Sequence, residues 1–226
     1  MIKAIMFDLD GTLLPMNEEE FTKGYFGLIC ARLAPKGYDK NELINVIMLG
    51  TKNMVKNNGL KTNEQVFWET FESFYGKEKL EDKKLFDDFY LNEFKKTIMF
   101  CGKNEKAREL IDFVKHKGLK LILASNPLFP KNGMITRMGF VNLKENDFDY
   151  ISSYENCHYS KPNPKFYEEM LEKNNLKPDE VVYFGNSEKE DLPAKDAGIK
   201  TYLISNENVE NKIGFDEIFK IIDNLN

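Results

Sequence analysis

Two aspartates that stand two residues apart are the first side chains in the chain with an evident chemical use. Asp8 and Asp10 follow a short apolar run at residues 2–7, which predicts a buried strand that ends in a polar loop. Residues i and i+2 of a strand share one face and lie about 6.6 Å apart, so one carboxylate can attack a bound group while the other protonates its far side. Gly11 and Thr12 then predict a tight turn whose backbone N–H groups hold an anion, although a solvated acidic turn uses the same residue types.

Short apolar runs that end in small polar residues recur along the chain and predict the elements that position these acids. Further strands are predicted at residues 119–124, 150–152, 181–184 and 201–204. Helices are predicted at residues 104–117 and 164–174 from their apolar spacing and terminal residues. Because strands alternate with helices, we expect an α/β fold with a parallel sheet, which binds ligands at the carboxyl ends of its strands.

Residues 16–96 show a different pattern, with apolar side chains at steps of three and four and no convincing strand. The spacing of Phe67, Phe71 and Phe74 is one example. We therefore expect an all-helical insertion over residues 16–96, placed just after the first strand of a core formed by residues 1–15 and 97–226. Its aromatic residues are interpreted as core packing, because phenylalanine usually lies in protein interiors.

Composition narrows the classes of function. The 226 residues carry a formal net charge of -5 with 42% hydrophobic residues, which fits one core domain with an insertion and gives no bulk attraction to nucleic acid or anionic lipid. No apolar run approaches the roughly 20 residues of a membrane span, and no signal peptide is expected. The three cysteines are widely separated and the histidines number two, which favours a reducing cytoplasm and carboxylate chemistry over a histidine-based site.

Four ordered motifs resemble those of the haloacid dehalogenase-like (HAD) hydrolase superfamily. They are the segment FDLDGTL at residues 7–13, the strand that ends at Ser125-Asn126, Lys161 within SKPNP, and the segment GNSEKED at residues 185–191 followed by Ala197-Gly198. The helical insertion is similar to the cap that members of the dehalogenase and phosphoglycolate phosphatase type carry between the first two motifs. The resemblance implies a Rossmann-like parallel core with a helical cap.

The resemblance also implies a role for each motif. Asp8 would be the nucleophile that forms an aspartyl phosphate, and Asp10 would protonate the leaving oxygen and then take a proton from the attacking water. Ser125, the backbone around Asn126, and Lys161 would bind the phosphoryl group. Taken alone, Ser125 also fits a strand-end turn and Lys161 a solvated surface lysine. A carboxyl at position 10 departs from the dehalogenase branch, since a halide needs no proton, and so favours phosphate esters.

The fourth motif departs from the commonest pattern of the superfamily at a position that affects the metal site. The residue after Gly185 is often Asp, but here it is Asn186, whose amide oxygen can bind a hard cation without adding negative charge. Glu190 is the alternative to Asp191 as the acidic ligand, and Asp191 could instead cap a short helix. The ligands expected for Mg²⁺ are Asp8, the main-chain oxygen of Asp10, Asn186 and Asp191.

The predicted activity is Mg²⁺-dependent hydrolysis of a small phosphate monoester by a cytoplasmic monomer or homodimer. Its expected partner is a small phosphorylated metabolite, with no nucleic acid and no membrane. A phosphomutase or a phosphonate hydrolase on the same scaffold is the enzymatic alternative, because cap residues choose the substrate. A phosphate-receiving switch resembling a response-regulator receiver is the non-enzymatic alternative, and the large insertion together with Asp10 argues against it.

Overall fold

One sheet of five parallel strands forms the centre of the fold. The structure is a computed structural model that describes residues 1–205 and 209–225. The strands lie in the order β3-β2-β1-β4-β5 and every pair is parallel, which confirms the predicted α/β class. The strands are β1 (Ala4–Phe7), β2 (Lys120–Leu123), β3 (Tyr150–Ile151), β4 (Val181–Gly185) and β5 (Lys200–Leu203).

Helices surround this sheet and fill the insertion between its first two strands. In the described parts of the chain they are α1 (Glu18–Leu33), α2 (Lys40–Val55), α3 (Asn63–Tyr75), α4 (Lys83–Leu91), α5 (Glu105–His116), α6 (Lys131–Gly139), α7 (Pro164–Asn174), α8 (Glu188–Asp191) and α9 (Phe215–Asp223). The helices predicted at 104–117 and 164–174 are α5 and α7. The side chain of Asn163 caps α7 by accepting a hydrogen bond from the N–H of Lys165. None of these helices is both long and apolar enough to cross a membrane.

The register of β1 explains why the functional loops meet. Phe7 is paired with Leu123 of β2 and with Phe184 of β4, so the residues that follow these three strands emerge side by side at the carboxyl edge of the sheet. Both faces of β1 are buried, since Ile5 and Phe7 lie in the cluster that includes α5, α6 and α9, while Ala4 and Met6 pack with α7. Burial on both faces requires the continuous apolar runs by which the strands were predicted.

Helices α1 to α4 build a second hydrophobic cluster that is rich in aromatic rings, with Phe71, Phe89 and Phe94 fully buried in it. A 3-10 helix at Glu93–Phe100 completes this region, and residues 16–96 contain no strand. The chain leaves and re-enters the core where the N–H of Gly102 donates to the carbonyl of Pro15 at 2.7 Å. The cap boundaries at 16 and 96 stay predictions, and residues 206–208 and 226 of the predicted core lie outside the described residues.

Candidate active site

The loop after β1 carries both predicted catalytic aspartates into one cavity. Asp8 is 5% exposed, and its N–H donates to the carbonyl of Phe184 at 2.9 Å, which fixes its backbone against β4. The Asp10 side chain is 23% exposed. Both residues line a cavity of about 220 Å³ at the carboxyl edge of the sheet. The structure therefore brings together the pair that the sequence singled out.

Lys161 joins two carboxylates beside this cavity. Its ammonium group lies 2.8 Å from Oδ1 of Asp8, 2.7 Å from Oδ1 of Asp191 and 2.6 Å from the hydroxyl of Tyr183. Burial opposes the charged form of the lysine, but the carboxylates of Asp191 and Asp8 hold the pKa of Lys161 well above its usual range. The side chain is 1% exposed, so it is a fixed buried cation and not a solvated surface lysine.

Asp191 directs both of its carboxylate oxygens to protein donors. Oδ1 accepts from Lys161 and from the Tyr183 hydroxyl, the latter at 2.6 Å. Oδ2 accepts from the backbone N–H groups of Asn186 and Ser187, each at 2.9 Å. These contacts tie the loop after β4 to Lys161. The role of Asp191 as a metal ligand stays a prediction.

Thr12 connects the loop after β1 to the loop after β4. Its hydroxyl lies 3.2 Å from Oδ2 of Asp8 and 3.1 Å from Oδ1 of Asn186. The neighbouring Gly11 has a φ of +82°, and a Cβ there would stand 2.3 Å from Nδ2 of Asn186. Only glycine permits this conformation and this approach. Asn186 is thereby held beside Asp8, as the predicted metal site requires.

The backbone N–H groups of Gly11 and Thr12 do not have the use that was expected of them. The N–H of Gly11 donates to the carbonyl of Leu14 at 2.8 Å, and that of Thr12 to the carbonyl of Leu9 at 3.2 Å. Both donors are consumed in closing the turn, so neither is available to an anion in this conformation. Thr12 contributes to the site through its hydroxyl instead.

Ser125 and Asn126 follow β2 and reach the same cavity. The N–H of Ala124 donates to the carbonyl of Phe7 at 2.8 Å, which sets Ser125 beside the first residues of the β1 loop. The side-chain oxygen Oδ1 of Asn126 is buried without a hydrogen-bond partner. Unpaired buried polar atoms are costly, and this one lies in the cavity where the sequence predicts substrate binding.

Arg137 of α6 is a candidate site residue that sequence reasoning missed. It is 1% exposed, its Nη1 lies 2.9 Å from Oδ2 of Asp10, and its guanidinium carbon is 4.2 Å from the centre of the Phe129 ring. The signal that could have found it is spacing. Met134 and Met138 define the buried face of α6, and a residue three positions after Met134 shares that face.

Arg137 pairs with one carboxylate oxygen of Asp10 and leaves the other oxygen without a hydrogen-bond partner. Oδ1 of Asp10 is buried and has no hydrogen-bond partner. Burial raises the pKa of Asp10, although the charges of Arg137 and Lys161 act in the opposite direction. A carboxyl group with a raised pKa and a free oxygen in a cavity suits a group that first donates and later accepts a proton.

Asp8 experiences the same competition between burial and charge. Burial, opposed by the charge of Lys161 and aided by the neighbouring carboxylates of Asp191 and Asp10, raises the pKa of Asp8 to about 7. With Glu18, Glu190 and Asp191, five acids line the cavity. The cations that contact them from the described residues are Lys161 and Arg137. The acids therefore outnumber the buried cations.

This excess of acid and the type of oxygen present fit Mg²⁺. Among the residues that the structure describes, no three Asp, Glu, His or Cys side chains form a ready-made metal group, so neutral oxygens would have to contribute. Oδ2 of Asp8 and Oδ1 of Asn186 lie within 3.2 Å and 3.1 Å of the same Thr12 hydroxyl. A carboxylate and an amide oxygen that face one point are hard ligands of the kind that Mg²⁺ prefers.

A parallel α/β core, an aspartate pair after its first strand and a helical insertion before its second strand define a class of hydrolase. The model of the haloacid dehalogenase-like hydrolase family matches residues 5–204, and the chain belongs to that family.

One curated protein is similar in sequence, and solved structures share the fold. A phosphorylated carbohydrates phosphatase of Thermotoga maritima is 33% identical over 127 residues, which cover 54% of this chain and 57% of that protein; the match thus spans little more than half of that relative. A HAD phosphatase from Thermococcus onnurineus matches 98% of both chains with a TM-score of 0.59 and 19% identity. A HAD family enzyme from Bacteroides thetaiotaomicron, solved in complex with magnesium and inorganic phosphate, matches 93% of this chain and 98% of its own with a TM-score of 0.56 and 18% identity.

Proposed function

We propose that this protein is a Mg²⁺-dependent phosphatase that hydrolyses a small phosphate monoester through an aspartyl phosphate on Asp8. The observation that supports the proposal is that two aspartates in one cavity have different hydrogen-bond partners. Asp8 is held by Lys161 at 2.8 Å, whereas Asp10 keeps one buried oxygen without a partner. One acid is placed to attack and the other to exchange a proton.

In the first step, a carboxylate oxygen of Asp8 forms a bond to phosphorus as the bond from phosphorus to the ester oxygen breaks. Asp10 gives its proton to that oxygen, and the alcohol leaves. In the second step, Asp10 takes a proton from water, the water oxygen bonds to phosphorus, and the bond from Asp8 to phosphorus breaks. Inorganic phosphate then departs and both aspartates return to their starting states.

Other residues of the cavity hold these two in place. Lys161 keeps Asp8 oriented and offsets negative charge next to the phosphoryl group. Arg137 fixes Oδ2 of Asp10, so that Oδ1 is the oxygen that exchanges the proton. Ser125 and Asn126 border the same cavity and would donate hydrogen bonds to the phosphoryl oxygens.

The metal would be held by oxygen atoms of the loops after β1 and β4. Asp8, the main-chain oxygen of Asp10 and Asn186 are the proposed ligands, and Glu190 takes the place of Asp191 as the candidate acidic ligand. The bound Mg²⁺ would supply positive charge against the phosphate. Asp191 would act through Lys161 instead, because its oxygens already have protein donors.

Replacement of Asp8 by asparagine tests the proposal. Asp8→Asn should abolish steady-state release of phosphate from p-nitrophenyl phosphate, because an amide cannot act as the nucleophile. The matched control is Asp179→Asn, an exposed aspartate that precedes β4 at the opposite edge of the sheet, which should keep full activity. If Asp8→Asn retains more than about a tenth of the activity, a loss of under roughly 1.4 kcal/mol in the barrier, the assignment of the nucleophile is wrong.

Repeated turnover separates the enzyme from a phosphate-receiving switch. Incubation with acetyl phosphate should release many equivalents of phosphate per chain, whereas a switch would retain a single equivalent. Phosphate transferred to a second hydroxyl of a sugar phosphate, with no release, would support the phosphomutase instead.

A further inference from the structure

A second cavity adjoins the catalytic cavity and differs from it in having no charged side chain in its lining among the described residues. We propose that it binds the alcohol part of the substrate, and that this alcohol is apolar, with a ring or an alkyl chain in place of the hydroxyls of a sugar. This inference rests on the phosphatase function proposed above and names the class of ester that the same site selects.

The second cavity lies next to the catalytic cavity. It has a volume of about 270 Å³ and lies between α1, α2, α3 and α4 and the segment after β2. Phe21, Thr22, Leu128 and Phe129 line both this cavity and the one that contains Asp8 and Asp10. The two cavities therefore share a wall, and an ester whose phosphate lies beside the aspartates would place its alcohol part next to the second cavity, which we call the aromatic pocket.

The walls of the aromatic pocket are mainly apolar. No charged side chain lines it among the described residues. Its surface is made mainly of rings and aliphatic groups, such as Phe26, Ile47, Met48, Phe67, Trp68 and Phe86. Binding sites of this character favour apolar ligands, because the free energy gained is proportional to the apolar area removed from water.

Most polar groups that line the aromatic pocket already have partners, the hydroxyl of Thr22 being the exception among the described residues. The hydroxyls of Tyr25 and Tyr90 are hydrogen-bonded to each other at 2.9 Å, and the indole N–H of Trp68 donates to the Tyr154 hydroxyl at 3.4 Å. The Thr51 hydroxyl donates to a backbone carbonyl of its own helix at 2.9 Å. These few groups offer fewer free donors and acceptors than the several ring hydroxyls of a sugar require, and an unpaired buried hydroxyl is costly.

The size of the pocket limits the alcohol. An apolar cavity of about 150 Å³ is enough to hold benzene, so 270 Å³ accommodates a six-membered ring together with the short linker that joins it to the phosphate. The pocket begins at Phe129, beside the catalytic cavity. A ring one or two methylenes from the ester oxygen would reach it.

Two esters of similar shape provide the test. Cyclohexylmethyl phosphate and glucose 6-phosphate both carry a six-membered ring on a methylene, but only the second has ring hydroxyls. We expect kcat/KM, measured by phosphate release, to be at least about tenfold higher for cyclohexylmethyl phosphate. In a series from ethyl to pentyl phosphate, kcat/KM should rise about fourfold for each methylene that enters the pocket.

A variant pair on α2 locates the effect in the aromatic pocket. Met48 lines it and is 52% exposed, whereas its neighbour Leu49, 44% exposed, lines a different surface cavity. Met48→Glu should lower kcat/KM for cyclohexylmethyl phosphate about tenfold, while Leu49→Glu should leave it within about twofold. Far-UV circular dichroism checks that both variants fold, and Leu49→Glu should hydrolyse ethyl phosphate like the unchanged protein.

Each result has a defined meaning. Glucose 6-phosphate turned over as well as or better than cyclohexylmethyl phosphate, or a flat alkyl series, would overturn the apolar assignment while the phosphatase function stands. Equal effects of Met48→Glu and Leu49→Glu would remove the aromatic pocket from substrate binding. Failure to hydrolyse any of the esters would overturn both the inference and the proposed function.

Discussion

Replacing Arg137 with methionine should impair catalysis through Asp10 and destabilise the fold. Methionine keeps an unbranched apolar side chain next to Phe129 and Met134 but removes the guanidinium that holds Oδ2 of Asp10. In the variant neither oxygen of Asp10 has a partner among these groups, since Oδ1 is unpaired already. The carboxyl group is then free to rotate away from the leaving oxygen.

The structure sets the size of both effects. A charge separation of 2.9 Å corresponds to ~6 kcal/mol of attraction at an effective dielectric constant of 20. Desolvation of the two charges cancels most of this, and Asp10 is partly hydrated, so we expect a loss of about 2 kcal/mol in the free energy of unfolding. Since general acid and base catalysis contributes about 10²- to 10⁴-fold, misplacement of Asp10 should lower kcat about 10- to 100-fold for ethyl phosphate.

Two measurements distinguish a displaced Asp10 carboxyl group from a general loss of folded protein. The kcat for p-nitrophenyl phosphate should fall less than that for ethyl phosphate, because its leaving oxygen needs less protonation. Urea denaturation of Asp10→Asn, Arg137→Met and the double variant gives the coupling between the two side chains. We expect Arg137→Met to cost at least about 1 kcal/mol less when Asp10 is already neutral. Arg32→Met, which removes an arginine with partners at 3.7 and 3.8 Å, is the control and should change activity little.

Additive unfolding losses, within about 0.5 kcal/mol, would mean that Arg137 does not stabilise the charged Asp10. Equal losses of kcat on both esters would mean that Arg137 acts on something other than proton transfer to the leaving group. Either result would refute the reasoning from the open oxygen of Asp10.

Two further predictions concern the metal and the pH dependence of stability. Asn186→Asp should tighten Mg²⁺ and Glu190→Gln should weaken it, as measured by calorimetric titration as well as by half-activation, and an unchanged affinity would place that residue outside the metal site. Burial favours protonation of Asp147, but hydrogen bonds from Lys115 and Arg108 hold its pKa below the usual value. Its stabilising effect is therefore present above the pKa of the unfolded state and is lost as the pH falls through the folded value. Asp147→Asn should lower the free energy of unfolding at pH 7, and in urea denaturation the difference from the unchanged protein should shrink as the pH falls below the pKa of an unfolded aspartate, about 3.9. A difference that stays constant with pH would contradict this.

The strands and the order of the site loops were predictable because a parallel sheet imposes a simple requirement. Each strand is buried on both faces, so each appears in the sequence as a continuous apolar run. The polar residues that end these runs, including Asp8, Ser125 and Asn186, must then lie at one edge of the sheet. Their placement follows from topology without any knowledge of side-chain contacts.

Arg137 and Tyr183 were not predictable in the same way. Tyr183 belongs to the apolar run of β4, and nothing local reveals that its hydroxyl reaches Lys161 and Asp191. Arg137 meets Asp10 only because α6 packs beside the loop after β1, at a separation of more than a hundred residues. Such side-chain pairs depend on how distant segments pack together, whereas sequence periodicity predicts only the helix or strand in which a residue lies.

The hydrogen-bond partners in the turn after β1 were also not predictable from the residue types. Gly11 and Thr12 have the residue types of an anion-binding turn, but the sequence does not show which acceptors their N–H groups find. The carbonyls of Leu14 and Leu9 take both of them. The N–H groups of a tight turn are hydrogen-bonded to carbonyls of the same turn, because an unpaired buried N–H is costly.

Each of the two aspartates has one oxygen held by a buried cation and a second oxygen left for another use. Lys161 holds Oδ1 of Asp8, and Arg137 holds Oδ2 of Asp10. The second oxygen of Asp8 accepts from the Thr12 hydroxyl next to Asn186, while that of Asp10 has no partner. The two cations have different neighbours, because Lys161 also contacts Asp191 whereas Arg137 stacks on Phe129. The proposed nucleophile is thus coupled to the loop after β4, which carries the proposed metal ligands, and the proposed acid is coupled to Phe129, which also lines the aromatic pocket. A leaving group that moves this ring would therefore move the side chain that positions its own proton donor.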